Sequence, residues 1–119
     1  GSKMNVTKIT LTTILKRRDF LLVAAEKRSG QPGLLLQGRN RQDGSSSTRV
    51  GYTCSKKLGN AIARNKAKRR LREISKATLT VKGNPGWDYV LVGRPKTTLE
   101  RNYSLLIEDL NKAIKKVHS

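Results

Sequence analysis

The sequence predicts one small domain that mixes helices with strands, in the order helix, strand, strand, helix, strand, helix. Three observations carry this. Near the C-terminus, Leu99, Tyr103, Leu106, Leu110, Ala113 and Val117 recur at helical spacing, so residues 98–117 read as an amphipathic helix. "RVGYTC" (49–54) alternates, with Val50, Tyr52 and Cys54 on one side and Arg49, Gly51 and Thr53 on the other, as a half-buried strand does. "WDYVLVG" (87–93) is a β-rich apolar run that suits a more central strand. The 119 residues suit a single domain, with no internal repeat and no linker.

The remaining elements follow from local chemistry. Residues 1–12 are weakly patterned and read as a disordered terminus, with Gly1-Ser2 as an expression-tag remnant. The domain proper is expected over 13–119. Residues 13–28 read as a first helix, capped by Thr13, with Phe20, Leu21, Ala24 and Ala25 on one face. Gly30-Gln31-Pro32-Gly33 stops it. "LLLQ" (34–37) is a short strand. "GRNRQDGSSST" (38–48) reads as a flexible loop, too polar to order itself by burial. Asn60 is a good N-cap for a helix running to about Thr78. Thr97 and Glu100 have capping-box spacing ahead of the last helix.

Charge narrows the function. Lys+Arg number 26 against 8 Asp+Glu, a formal net charge of +18 and a pI near 10.9. Such an excess repels itself unless a polyanion screens it, which makes nucleic acid the leading partner class. No apolar run approaches the roughly 18 residues that span a bilayer, and no membrane association is expected. The single Cys54 excludes an intrachain disulfide and a cysteine-cluster metal site, and a reducing, cytoplasmic setting is the simplest reading. By strand parity Cys54 is a small buried hydrophobe.

The charge concentrates in "NAIARNKAKRRLRE" (60–73). On a wheel of about 100° per residue, Ala63, Ala67, Leu71, Ile74, Ala77 and Thr78 form the sheet-facing arc. Arg64, Asn65, Lys68, Arg69, Arg72 and Lys76 fill the adjoining arc, and Lys66 lies beyond it. Arg70 falls near the apolar arc and would have to snorkel out. Like charges at i,i+4 (Arg64–Lys68, Lys68–Arg72, Lys66–Arg70) each destabilise by roughly 0.2–0.5 kcal/mol. Cations in the first turns also oppose the helix dipole. A polyanion on that face reverses both penalties. Asn65 can donate and accept, so it can meet a phosphate, a sugar hydroxyl or a base edge.

The gapless stretch "RVGYTCSKKLGNAIARNKAKRRLRE" (49–73) resembles the signature of the bacterial ribonuclease P protein component. "RRDF" (17–20), "DYVLVGRP" (88–95) and the closing helix are also similar to it. The resemblance implies an α+β fold with a three- or four-stranded central sheet and a left-handed βαβ crossover; the usual rule would favour the right-handed one. It implies a subunit that binds a catalytic RNA and the 5′ leader of precursor tRNA and assists removal of the leader. The RNA supplies the active site and its Mg²⁺, in a 1:1 protein–RNA complex. By the same resemblance Arg64, Asn65, Lys66, Lys68, Arg69 and Arg72 contact the catalytic RNA. Lys66 stands where Arg is frequent, keeping the charge without bidentate geometry. Arg17, Phe20, Ser55, Lys56 and Lys57 serve the leader. The chain departs from the pattern at Ala24, where a second aromatic is frequent, and at Leu34-Leu35-Leu36, where aromatics are frequent. Leader recognition is therefore expected to lean on charge more than on stacking.

Two other classes compete. A metal-dependent nuclease needs clustered carboxylates or histidines. Here Asp19, Glu26, Asp43, Glu73, Asp88, Glu100, Glu108 and Asp109 are dispersed and His118 is alone, so no catalytic residue and no protein-held metal is expected. A structural, ribosomal-type RNA-binding protein shares the charge and differs only in lacking the 49–72 motif. A DNA-reading helix is disfavoured, because the 60–78 segment offers phosphate-type contacts and few base-reading side chains.

Overall fold

A computed structural model describes residues 9–119; Gly1 to Lys8, with the expected tag remnant, lie outside the described residues. The elements are β1 (Leu11–Thr13), α1 (Arg17–Ala24), β2 (Lys27–Gly30), β3 (Leu34–Asn40), β4 (Thr48–Thr53), a 3₁₀ turn (Lys56–Leu58), α2 (Ala61–Lys82), β5 (Trp87–Gly93), α3 (Thr97–Glu100) and α4 (Tyr103–Val117). They form an α+β domain around a mixed sheet of order β1-β4-β5-β3-β2. The sheet has five strands, against the three or four expected. β4 and β5 run parallel, joined through α2, and β3 lies antiparallel on the other side of β5.

The strand parity read from 49–54 holds and decides the layers. Val50, Tyr52 and Cys54 join Leu34, Leu36, Tyr89 and Leu91 under α2 and α4, where Leu71, Ile74, Leu79, Leu106, Leu110, Ala113 and Val117 complete the main core. The opposite face carries a smaller cluster of Ile14, Val23 and Val90, with Phe20 and Val92 packed against it. α1 covers that face.

Four expectations are corrected. The helix placed at 13–28 spans only Arg17–Ala24: Thr13 belongs to β1, and Lys16 precedes the helix with no side-chain cap. Its buried residue is Val23, while Leu21, Ala24 and Ala25 are exposed, so the expected face is wrong apart from Phe20. Lys27–Gly30 instead pairs with β3 as an edge strand whose exposed Lys27 and Arg28 discourage further pairing. Second, residues 9–12 of the terminus expected to be disordered join the fold, as β1 pairs with β4 and Ile9 N donates to Thr80 O at 2.7 Å.

Third, the 38–48 segment is tied down. β3 extends through Asn40, and Arg41 donates to Asp43 Oδ2 (3.0 Å), Trp87 O (3.2 Å), Asp88 Oδ1 (2.7 Å) and Ser47 O (2.7 Å). One guanidinium supplies the order that burial could not. Fourth, the last helix is two. The Thr97–Glu100 turn ends at Arg101, and Asn102 caps α4 by accepting from Ser104 N at 2.9 Å. Arg101 and Asn102 have extended ψ values of 139° and 136°, which break the helix. Tyr103 consequently leaves the expected apolar stripe and is exposed.

Candidate nucleic-acid interface

α2 starts as the sequence predicts and runs further, to Lys82. Asn60 Oδ1 accepts from Ala63 N at 2.9 Å. Gly59 before it has φ 146°, a conformation that favours glycine, and a Cβ there would stand 2.9 Å from Ala63 Cβ. Ala67, Leu71, Ile74 and Thr78 are buried as expected, and Ser75 and Leu79 extend the buried face, while Ala77 is exposed. Asn65, Lys66, Arg69 and Arg72 are exposed, and Arg64 and Lys68 are half-buried. The Arg72 guanidinium lies 5.3 Å from the centre of the Tyr52 ring, a cation–π approach made by a residue that stays exposed.

Arg70 separates from the other cations. It donates to Thr98 O (2.9 Å), Leu99 O (2.7 Å) and Arg101 O (2.6 Å). These carbonyls lose helical partners where α3 breaks from α4. The residue on the apolar side of the wheel is thus a tie between α2 and the α3–α4 connection.

A groove opens on the other face of the sheet, lined by Leu15, Arg17, Phe20, Leu21 and Thr53. Phe20 serves both the core and the groove: it packs with Ile14, Val23 and Val90 and also forms the groove wall. Gly51 makes room for it, since a Cβ there would stand 2.5 Å from Phe20 Cε1. Of the leader residues inferred from sequence, Arg17 and Phe20 meet here. Ser55, Lys56 and Lys57 are exposed on the turn after Thr53, at the groove's end rather than in its walls. The sequence reading missed Leu15 (84% exposed) and Leu21 (58%), which add aliphatic surface beside Phe20. Thr53 was legible from parity with Arg49 and Gly51; nothing in the pattern singled out Leu15. Of the three leucines that replace aromatics in β3, Leu34 and Leu36 face the main core and only Leu35, half-buried, lies on the groove's side.

Beyond Gly51 the same face becomes ionic. Arg49 grips Asp88 with two bonds, Nε to Oδ1 at 2.8 Å and Nη2 to Oδ2 at 2.6 Å, and approaches Asp19 at 3.5 Å. Arg41 shares Asp88, whose side chain is fully buried. Hydrogen bonding to Asp88 holds the Arg49 guanidinium more firmly protonated than usual. Among the described residues, ion pairs within 4 Å involve only Arg41, Arg49 and Arg101 as cations. None of the α2 cations is neutralised.

The carboxylates do not fit a metal held by the protein alone. Asp88 is occupied by two arginines, and Asp109 is buried, accepting from Arg101 and from Gly33 N. Among the described residues no group of His, Cys, Asp and Glu is arranged to hold an ion. Burial pushes the Cys54 thiol up.

A mixed sheet crossed by a helix with an unneutralised basic face defines a small α+β protein of the RNA-binding class. The ribonuclease P family pattern matches residues 10–118. The ribonuclease P protein component of Ruegeria pomeroyi is 48% identical over 92% of this chain and 88% of its own. That of Paramagnetospirillum magneticum is 49% identical over 90% and 83%. The fold is similar to the solved RNase P proteins of Staphylococcus aureus (TM-score 0.71, 25% identity, 90% of this chain and 97% of that one) and Thermotoga maritima (0.68, 32%, 84% and 92%). The chain belongs to the ribonuclease P protein family. It is an RNA-binding protein subunit of ribonuclease P, acting in tRNA processing with a partner RNA subunit, and the ribosomal-type alternative is not favoured. No helix among the described residues is long and apolar enough to cross a membrane.

Proposed function

We propose that the outer face of α2 docks the catalytic RNA and that the groove beneath α1 holds the 5′ leader of precursor tRNA. The observation that carries this is the division of cations. Arg41, Arg49, Arg70 and Arg101 are engaged by this chain's own acceptors, whereas Arg64, Lys66, Lys68, Arg69 and Arg72 make no ion pair within 4 Å among the described residues, although Glu73 follows Arg72 in the same helix. Arginine forks and lysine heads then meet phosphates, while Asn65 adds a neutral donor and acceptor.

In the leader groove, Phe20 offers a stacking surface worth roughly 1–3 kcal/mol per base. Arg17 stands beside it, and Ser55, Lys56 and Lys57 receive the strand's phosphates at the groove's end. The complex is 1:1 and cytoplasmic. The RNA carries the reaction and holds Mg²⁺, which supplies the electrostatic stabilisation of phosphoryl transfer. This chain's residues bind and orient.

Reconstitution with a bacterial ribonuclease P RNA and precursor tRNA at low Mg²⁺ tests the reading. The protein should stimulate 5′ cleavage; no stimulation at any protein concentration would refute it. With charge leading the leader contact, Lys56→Ala should lower leader-dependent affinity at least as much as Phe20→Ala. A much larger loss from a folded Phe20→Ala protein would show that stacking leads.

A further inference from the structure

A second basic surface lies at the far end of the molecule. Exposed Lys112, Lys115 and Lys116 form a ridge along the last turns of α4. A groove of about 550 Å³ on one side of the ridge is lined by Gln31, Lys112, Lys115, Lys116 and Ser119. A second groove, on the side of α2, is lined by Lys82, Asn111, Lys112, Ile114 and Lys115. None of these lysines lies within 4 Å of a carboxylate among the described residues, although Glu108 stands one turn before Lys112. In the second groove the Asn111 side-chain oxygen is buried without a hydrogen-bond partner.

The α2 motif cannot account for this cluster. Arg72, the last cation of the motif, and Lys82 are about 15 Å apart along the helix at 1.5 Å per residue. The Debye length at physiological salt is about 8 Å, so RNA held at the motif leaves the ridge unscreened unless the RNA itself reaches that far. Favourable interaction with the helix C-terminus explains Lys115 and Lys116 in part. It does not explain why Lys82 from α2 and Lys112 and Lys115 from α4 line one groove, or the like-charge spacing of Lys112 with Lys115 and Lys116.

We propose that the Lys112–Lys115–Lys116 ridge, with Lys82, is a second RNA-backbone site, which binds phosphates of the partner RNA subunit and fixes the protein's orientation through two separated contacts. This rests on the RNA-docking reading of α2. The occupant is RNA because the chain's partner is RNA and the ridge presents exposed ammonium groups that no carboxylate of the described residues pairs within 4 Å.

The test is the affinity of the full chain for the partner RNA as a function of salt, for wild type and Lys112→Gln/Lys115→Gln/Lys116→Gln. Each lost phosphate contact lowers the slope of log affinity against log salt by about 0.7–0.9, so the triple variant should lose about 2–3. An unchanged slope in a folded triple variant overturns the proposal, and so does a lower melting temperature with no change in slope, which would leave only the helix-end role. If the triple variant does not fold, Lys112→Gln alone should lower the slope by just under 1, and no change overturns the proposal. Lysine-dependent binding to anionic phospholipid vesicles with the RNA slope unaltered would also overturn it, in favour of a membrane surface. If wild type fails to bind the RNA, the α2 reading itself fails. If wild type binds and only the ridge variants are silent, the α2 reading stands.

Discussion

The Asp88 cluster and the outer face of α2 are both rich in arginine, and they treat its charge in opposite ways. At Asp88, two guanidinium groups converge on one buried carboxylate and pin β3, β4, β5 and the 41–47 loop to each other. On α2, cations stand one turn apart and form no ion pair within 4 Å among the described residues, at a local cost to the helix. The same residue type holds the fold in one place and stands without an ion pair in the other. Net charge alone could not divide +18 into these parts. Arg70 shows this best: within the basic motif by sequence, it belongs with the structural arginines by its three carbonyl contacts.

Breaking the structural side should give the largest effects on stability. Asp88→Ala leaves Arg41 and Arg49 without their shared partner and should cost about 3–5 kcal/mol in urea denaturation. A fully stable Asp88→Ala protein would erase the distinction between the regions. Arg70→Gln strips charged donors from three carbonyls and should cost about 2 kcal/mol, discounted for the partial exposure of the side chain. Its RNA affinity should keep the wild-type salt slope; a slope reduced by about one would return Arg70 to the RNA face. Arg64→Gln with Lys68→Gln should behave inversely. Stability should hold or rise by a few tenths of a kcal/mol as i,i+4 repulsion is relieved, while RNA affinity falls.

The smallest effect concerns His118. Its ring lies between Tyr89 Oη (2.7 Å from Nε2) and Asn84 Nδ2 (3.1 Å from Nδ1), and edge-on to Trp87. Asn84 Nδ2 can only donate, so Nδ1 accepts and the neutral ring fits, while the Asn84 backbone N–H also donates to Tyr89 Oη. Burial, with Lys27 nearby, pushes the His118 ring below its ordinary value. The unfolded chain therefore binds the proton more readily. This contribution to stability is complete above about pH 6.5 and is lost as pH falls below it. Melting temperatures between pH 7.5 and 5 should decline less for His118→Gln than for wild type; equal slopes would remove the role. Burial also pushes Tyr89 up to about 12, so it stays protonated throughout.

Periodicity made much of this legible. Strict alternation in 49–54 gave the two faces of β4, and the N-cap at Asn60 and the buried stripe of α2 followed from side-chain chemistry. Where the reading failed, long-range partners decided the local structure. Lys27–Gly30 has no apolar alternation and is a strand only because β3 lies beside it. The break at Arg101-Asn102 depends on carbonyls satisfied by Arg70 from α2 and on Arg101 held by Asp109. The 41–47 loop is ordered by a contact to Asp88 in β5. At the candidate interface the basic face was readable, because a helix fixes its own faces. The groove was half-readable: Phe20 stood out as an aromatic, while Leu15 and Leu21 depend on how α1 crosses the sheet.

The most direct measurement is the salt dependence of binding to the partner RNA, for wild type and for Arg64→Gln/Lys68→Gln/Arg72→Gln. Three lost phosphate contacts should lower the slope of log affinity against log salt by about 2–3, with the melting temperature retained. A folded triple variant with the wild-type slope would contradict the assignment of the α2 face to RNA.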